Sequence, residues 1–151
     1  MLKLGYSLVN GLSVAAIITM FNFSPSAAAE QSAYMPPPPY FVNLQGETIT
    51  AIESGQQIMI MNKFENLELT PRDYLGIIEV RNSQGVTMLL AWQTSTMPAA
   101  NARTGEYGEN TIGISWSAAK PGNYLVRAFA VTGFENPKIL SEVRQSEIIV
   151  K

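Results

Sequence analysis

From Tyr40 onward, apolar and polar residues alternate in short runs separated by turn-forming residues. The pattern is clearest over Thr111–Ser117, where Ile112, Ile114 and Trp116 fall on one side of a strand and Thr111, Gly113 and Ser115 on the other. Asp73–Arg81 and Val86–Gln93 flank Asn82-Ser83-Gln84-Gly85, a polar, glycine-ended loop suited to a hairpin. Pro121-Gly122 supplies the residues a type II turn wants at its two central positions and leads into Tyr124–Val131. Further strands are predicted over Ile49–Ile52 and Gln56–Met61, and a last one, after Asn136-Pro137, ends at Val150. β-Branched and aromatic residues dominate these runs, and Gly or Pro interrupts nearly all of them, which disfavours helix. Seven to eight short strands at this spacing predict an all-β fold, an antiparallel β-sandwich.

The beginning of the chain follows a different rule. One cation, Lys3, precedes a largely apolar stretch from Leu8 through Ile18 to Phe23. Pro25 and the small residues Ala27 and Ala29 then form a signal-peptidase site, so residues 1–29 read as a helical signal peptide cleaved after Ala29. The alternative is an uncleaved anchor, because Leu4 to Phe23 is nearly long enough to span a bilayer. Residues 30–39 read as a proline-rich linker, in which Pro36-Pro37-Pro38-Pro39 holds polyproline II over roughly 12 Å at ~3.1 Å per residue. It serves either as a stalk or docking peptide, or as a stiff lead into the first strand. Residues 40–151 remain as one domain, large enough for a single core. The expected location is secreted or extracytoplasmic, in the cell envelope.

Composition narrows the chemistry further. The chain has no Cys and no His, and Asp73 is its one aspartate. Thiol nucleophiles, thiolate metal sites and a Ser-His-Asp triad are thereby excluded, and the core must hold without disulfides. Removal of Lys3 from ten Lys and Arg leaves nine against twelve Asp and Glu, a balance of −3 with no basic cluster. Nucleic acid is therefore not expected as a partner, and contact with a membrane is expected only through an uncleaved signal segment. Ser117-Ala118-Ala119-Lys120 matches a Ser-x-x-Lys signature, yet it runs into a Pro-Gly turn and lacks the accompanying Ser-Asp-Asn and Lys-Thr-Gly. Glu65 and Glu68 read as a solvated carboxylate pair in a loop. Met59, Met61, Met88 and Met97 offer thioethers of the kind Cu(I) accepts, with gap-filling in apolar surfaces as the competing reading. Calcium has no Asp-x-Asp-x-Asp-Gly loop to bind. No catalytic residue, cofactor or metal ligand is assigned, and the protein is not expected to be an enzyme.

Pro121-Gly122-Asn123-Tyr124-Leu125-Val126-Arg127-Ala128-Phe129 resembles the approach to strand F in immunoglobulin and fibronectin type III domains. There a tyrosine closes a corner by bonding back to nearby backbone, and an inward residue follows two positions later. The resemblance implies that role for Tyr124, with Val126 in the position held by cysteine in antibody domains. Together with Gly55-Gln56-Gln57-Ile58, Ile78-Glu79-Val80-Arg81, Gly85 and Trp116, the run is similar to the single immunoglobulin-like domains of secreted envelope proteins in ammonia-oxidising archaea. That likeness spans most of residues 45–150 and implies fold and location. The antibody pattern of two cysteines around a tryptophan is absent. Trp116 and Trp92 are both expected in the core.

Alternation also predicts an apolar surplus on the far side of one sheet. If Tyr124, Val126, Ala128 and Ala130 point inward, Leu125 and Phe129 point out, and Leu75 and Ile77 share a side with Glu79 and Arg81. In an immunoglobulin-like sandwich strands C and F are neighbours, so Leu75, Ile77, Leu125 and Phe129 would form one patch on the C–F–G sheet, open to a partner or covered by the chain's own N-terminal segment or a loop. A second candidate surface is the loop over 94–110, where Arg103 and Tyr107 have binding-site chemistry. The expected function is a binding or structural module acting through protein–protein contact, with self-association open. The alternatives are a proteinase inhibitor, from a resemblance to small immunoglobulin-like inhibitors, and a methionine-based copper handler. Intact-mass measurement of the chain isolated from cells is expected to place Glu30 at the N-terminus; a mass that retains residues 1–29 would mean an anchor instead.

Overall fold

The computed structural model describes residues 36–151, and every regular element within them is a strand. The expected signal peptide and most of the expected linker lie outside the described residues. The strands are β1 (Tyr40–Val42), β2 (Thr48–Ile49), β3 (Ala51–Ile52), β4 (Ile58–Asn66), β5 (Arg72–Arg81), β6 (Thr87–Met97), β7 (Gly108–Trp116), β8 (Gly122–Val131) and β9 (Arg144–Val150). They form a four-stranded sheet, β2-β1-β4-β7, and a five-stranded sheet, β3-β9-β8-β5-β6. All pairings are antiparallel except β3 with β9. This is an immunoglobulin-like sandwich in which β4, β5, β7, β8 and β9 correspond to strands B, C, E, F and G, and β6 lies beside β5 as strand C′ does in variable-type domains.

Nine strands replace the expected seven or eight because Tyr40–Val42 forms a strand of its own and the run Ile49–Ile52 breaks at Thr50. Ile49 pairs with Phe41 in one sheet, while Ala51 and Ile52 pair with Ile149 and Val150 in the other. The chain thus changes layers within one residue. Two strands also run further than the apolar pattern suggests. β4 continues through Asn66 and β6 through Met97, which shortens the expected 94–110 loop to residues 98–107.

The core is the meeting of the two inner faces. β4 contributes Ile58, Ile60 and Phe64, β7 contributes Ile112 and Trp116, and β5 and β8 contribute Tyr74, Ile78, Val80, Val126 and Ala128. Burying each large apolar side chain contributes roughly 1.5–3 kcal/mol, the only large favourable source in a chain without disulfides. Trp116 meets Tyr124 edge-on at 5.2 Å between ring centroids, and the Tyr124 hydroxyl donates to the Lys120 carbonyl at 2.9 Å. The Ser117–Lys120 segment is therefore the corner before strand F, with Ala118 buried and its carbonyl accepting from the Gly55 N–H. Pro36 and Pro39 are buried, and the Pro39 carbonyl accepts from Ser146 of β9, so the end of the proline run is seated on the sandwich. Trp92 departs from expectation: it lies on the outer face of β6 and is 52% exposed.

Gly76 of β5 faces side chains of the other layer with no room for a Cβ. A Cβ there would sit 2.7 Å from Ile112 Cδ1 and 3.1 Å from the Phe64 ring. Gly76→Ala is expected to destabilise the domain by about 1–3 kcal/mol through overpacking, read as a lower urea midpoint with an unchanged slope.

Candidate functional site

Three loops gather at one end of the sandwich, joining β4 to β5 (residues 67–71), β6 to β7 (98–107) and β8 to β9 (132–143). The first and third match the B–C and F–G loops of variable-type domains, which carry recognition there. At this end, beside the start of the 132–143 loop, lies a groove of about 350 Å³ lined by Asp73, Tyr74, Leu75, Thr94, Ser95, Thr96, Thr132 and Gly133. Its rim is rich in hydroxyls, and Thr96 Oγ1 donates to Asp73 Oδ1 at 2.6 Å. The Tyr74 hydroxyl bonds Asn110 Oδ1 at 2.9 Å; burial pushes its pKa up to about 12, against a lowering bond to Ser95, so at neutral pH it stays a protonated donor.

Side-chain clips hold the loops in place. Asn66, fully buried, donates to the carbonyls of Thr70 and Pro98 at 2.9 and 2.8 Å and accepts from the Glu68 N–H. One amide thereby ties the end of β4 to two loops, and Ala100 N–H bonds the Glu68 carbonyl beside it. Gly108 makes the approach of Pro98 possible, since a Cβ would lie 1.9 Å from the Pro98 carbonyl oxygen. Within the 98–107 loop, Asn101 Oδ1 accepts from Arg103 and Thr104, and Gly105 takes φ 73°. Ser141, buried, accepts the Ala130 N–H and anchors the 132–143 loop to β8.

The expected partner residues divide between places. Arg103 and Tyr107 are exposed, Arg103 on the closed turn of the 98–107 loop. Leu75, Ile77 and Phe129 do lie together on the outer face of the five-stranded sheet, with Ile77 opposite Phe129 and Leu75 opposite Val131. They are not an open patch: their exposures are 1%, 4% and 7%. Leu125 is half-buried and sits opposite Arg81 and Glu147, away from the loop end. Alternation assigns a residue to a face but carries no information on what lies over it. The exposed apolar groups at the loop end are instead Trp92 and Phe134, whose rings meet edge-on at 5.4 Å, with Leu69 and Tyr107 on the other two loops. Phe134 sits in a run without alternation, and no sequence signal marks it.

The same outer face carries a charged network. Glu79, 7% exposed, accepts Arg81 Nε at 2.8 Å, Arg127 Nη1 at 3.0 Å and Thr87 Oγ1 at 2.7 Å. Burial alone would raise its pKa, but the bonds from Thr87 and Arg81 and the charges of Arg81 and Arg127 outweigh it, and the net shift is downward. The four methionines do not converge. Met59 and Met61 lie over Gly113 on the outer face of the other sheet, Met88 is exposed at the β5–β6 bulge, and Met97 is in the core. Glu65 belongs to β4, where it pairs with Lys63. Among the described residues no cluster of three His, Cys, Asp or Glu could hold a metal ion.

No family model matches the chain, and no curated protein matches it. Solved structures do. The C-terminal domain of wzt superposes with a TM-score of 0.64 at 11% identity over 80% of this chain and 75% of that one. A cycloisomaltooligosaccharide glucanotransferase of Paenibacillus sp., complexed with cycloisomaltoheptaose, gives 0.58 at 14% identity, over 78% of this chain and 14% of that one. A β-glucuronidase of glycoside hydrolase family 2 gives 0.55 at 10%, and the chain spans 13% of it. These likenesses establish the immunoglobulin-like fold.

Because its pKa is lowered in the folded state, Glu79 stabilises fully above the ordinary carboxylate range, and that contribution is lost as pH falls through the depressed value. Glu79→Gln is expected to cost about 1–3 kcal/mol at neutral pH. Urea melts across a pH series should show the gap to the unaltered protein closing in acid; a gap independent of pH would refute the network's charge dependence.

Proposed function

We propose that the chain is an extracytoplasmic binding module of the cell envelope that acts through protein–protein contact and performs no catalysis. The observation that carries this reading is the loop end. Three connections, clipped by Asn66, Asn101 and Ser141, lie at one end of the sandwich and each presents an exposed large side chain: Leu69, Tyr107 and Phe134. Loops fixed on a rigid sandwich are the usual seat of recognition, and aromatic residues beside arginine are the usual anchors of an interface. Trp92, edge-on against Phe134, extends that surface along β6, and Arg103 is an exposed cation on the 98–107 loop.

A second reading rests on the groove itself. Its lining of Thr94, Ser95, Thr96, Thr132 and Asp73 suits a polyhydroxylated ligand such as a glycan, with oxygens for hydrogen bonds, and exposed Trp92, two residues from Thr94 on the same face of β6, offers a ring for stacking. Both readings place the ligand at the same end of the domain.

One experiment separates them. Crosslinking on intact cells followed by mass spectrometry is expected to capture a discrete protein neighbour, and Phe134→Ala and Tyr107→Ala are each expected to weaken its retention at least tenfold. Unchanged capture by both variants would remove the loop end from the interface. Trp92 fluorescence that responds to glycans, with no protein captured, would favour the second reading.

A further inference from the structure

We infer that β6 pairs antiparallel with β6 of a second copy of this chain, so that two five-stranded sheets join across a two-fold axis. The inference concerns the backbone edge of the sheet and does not depend on the loop end binding a partner. In the order β3-β9-β8-β5-β6, β6 is terminal, and among the described residues only β5 pairs with it. The phase of its hydrogen bonds follows from the opposite end of the sheet. Ala130 directs its N–H to Ser141 Oγ and its carbonyl to the Leu140 N–H, both on the β9 side of β8. Main-chain direction alternates along an antiparallel strand, so Val131, Phe129 and Arg127 face β5, and Leu75, Ile77 and Glu79 face back to them. The residues opposite those on β6, namely Thr94, Trp92 and Leu90, must therefore aim their N–H and C=O groups outward. The Thr96 carbonyl, of the same phase, is taken by Asn110 Nδ2 at 3.3 Å. No such bond from a described residue covers Leu90, Trp92 or Thr94.

Edges of this kind are usually blunted by brevity, charge, proline or bulges. The other edges comply: β2 and β3 have two residues each, and β7 carries Glu109 in an ion pair with Lys63. β6 has eleven residues, Thr87–Met97, with no charge and no proline, and its one irregularity is the bulge at Met88 near its start. The absence of charge points to self-pairing. In a two-fold strand pair each residue meets one from the same sequence, so any charge near the axis would face its like. With the axis at Trp92, Leu90 meets Thr94 of the second copy and all three outward-facing residues exchange their main-chain bonds. Trp92 and Thr94 are exposed, as that pairing requires.

Sedimentation equilibrium on the chain as isolated from cells is expected to return a dimer. Thr94→Pro removes an N–H that the β5 ladder does not use, and Thr94→Lys places a charge on the edge. Each is expected to raise the dimer dissociation constant at least tenfold while the far-ultraviolet β spectrum and the melt are retained; if Thr94→Pro fails to fold, Thr94→Lys decides. Phe134→Ala is expected to remain dimeric. A monomer at every concentration, a dimer indifferent to Thr94→Lys, or a dimer lost in Phe134→Ala would each overturn the assignment.

Discussion

The pairing of β5 with β8 organises this domain. Seven successive pairs, from Leu75 with Val131 to Arg81 with Leu125, fix both faces of the five-stranded sheet at once. On the inner side the register delivers Ile78, Val80, Val126 and Ala128 to the core. On the outer side it sets Glu79 directly opposite Arg127, within reach of Arg81 on its own strand. A slip of one residue would exchange these faces, burying an ion network in the core and turning core residues outward. The cost of that exchange is what makes the register unique, and the outer network contributes to specificity as well as to stability.

The loop end inherits its rigidity from polar groups placed inside the sandwich. Asn66 occupies an inward position of β4 where its strand neighbours Ile58, Ile60 and Phe64 are apolar. An amide there would be destabilising unless its donors and acceptor were used, and all are, by Thr70, Pro98 and Glu68. Asn62, two turns of the pleat earlier, is different: its Nδ2 donates to the Lys63 carbonyl at 3.4 Å, and its Oδ1 is buried without a partner among the described residues. The contrast separates an amide whose bonds tie a strand to two loops from one that bonds only its neighbouring residue.

Much of the fold was legible in the sequence because strand alternation reports face, and turn chemistry reports where strands stop. Tyr124 stood out because the Pro-Gly turn fixed its distance from the corner. What escaped notice did so for definite reasons. The inward residues Asn62 and Asn66 break the apolar rhythm of β4, so the pattern predicts an end at Met61 where the strand runs on to Asn66. The layer change at Thr50 left no mark, since both halves of Ile49–Ile52 satisfy strand propensity. Trp92 reads as core because Leu89 and Ala91 leave the facing of its strand ambiguous, and only the pairing with β5, which sets it opposite Ile77, assigns it to the outer face. The burial of Leu75, Ile77 and Phe129 was out of reach, since alternation along a strand cannot register its cover.

β6 joins these themes. Its inward residues Leu89 and Met97 pack on or within the core, while its outward residues Leu90, Trp92 and Thr94 carry the free backbone edge, and Thr94 also lines the loop-end groove. A strand that only completed a sheet would gain from a lysine or a proline on that edge, because protection against unwanted pairing costs little stability there. An uncharged run of eleven residues forgoes that protection. Such a composition is tolerable when the edge has an intended occupant, since the hydrogen bonds that would recruit any strand are then already used. The exposed Trp92 would be equally hard to explain on a strand facing only water, because a ring of that size contributes most when it is desolvated by a partner.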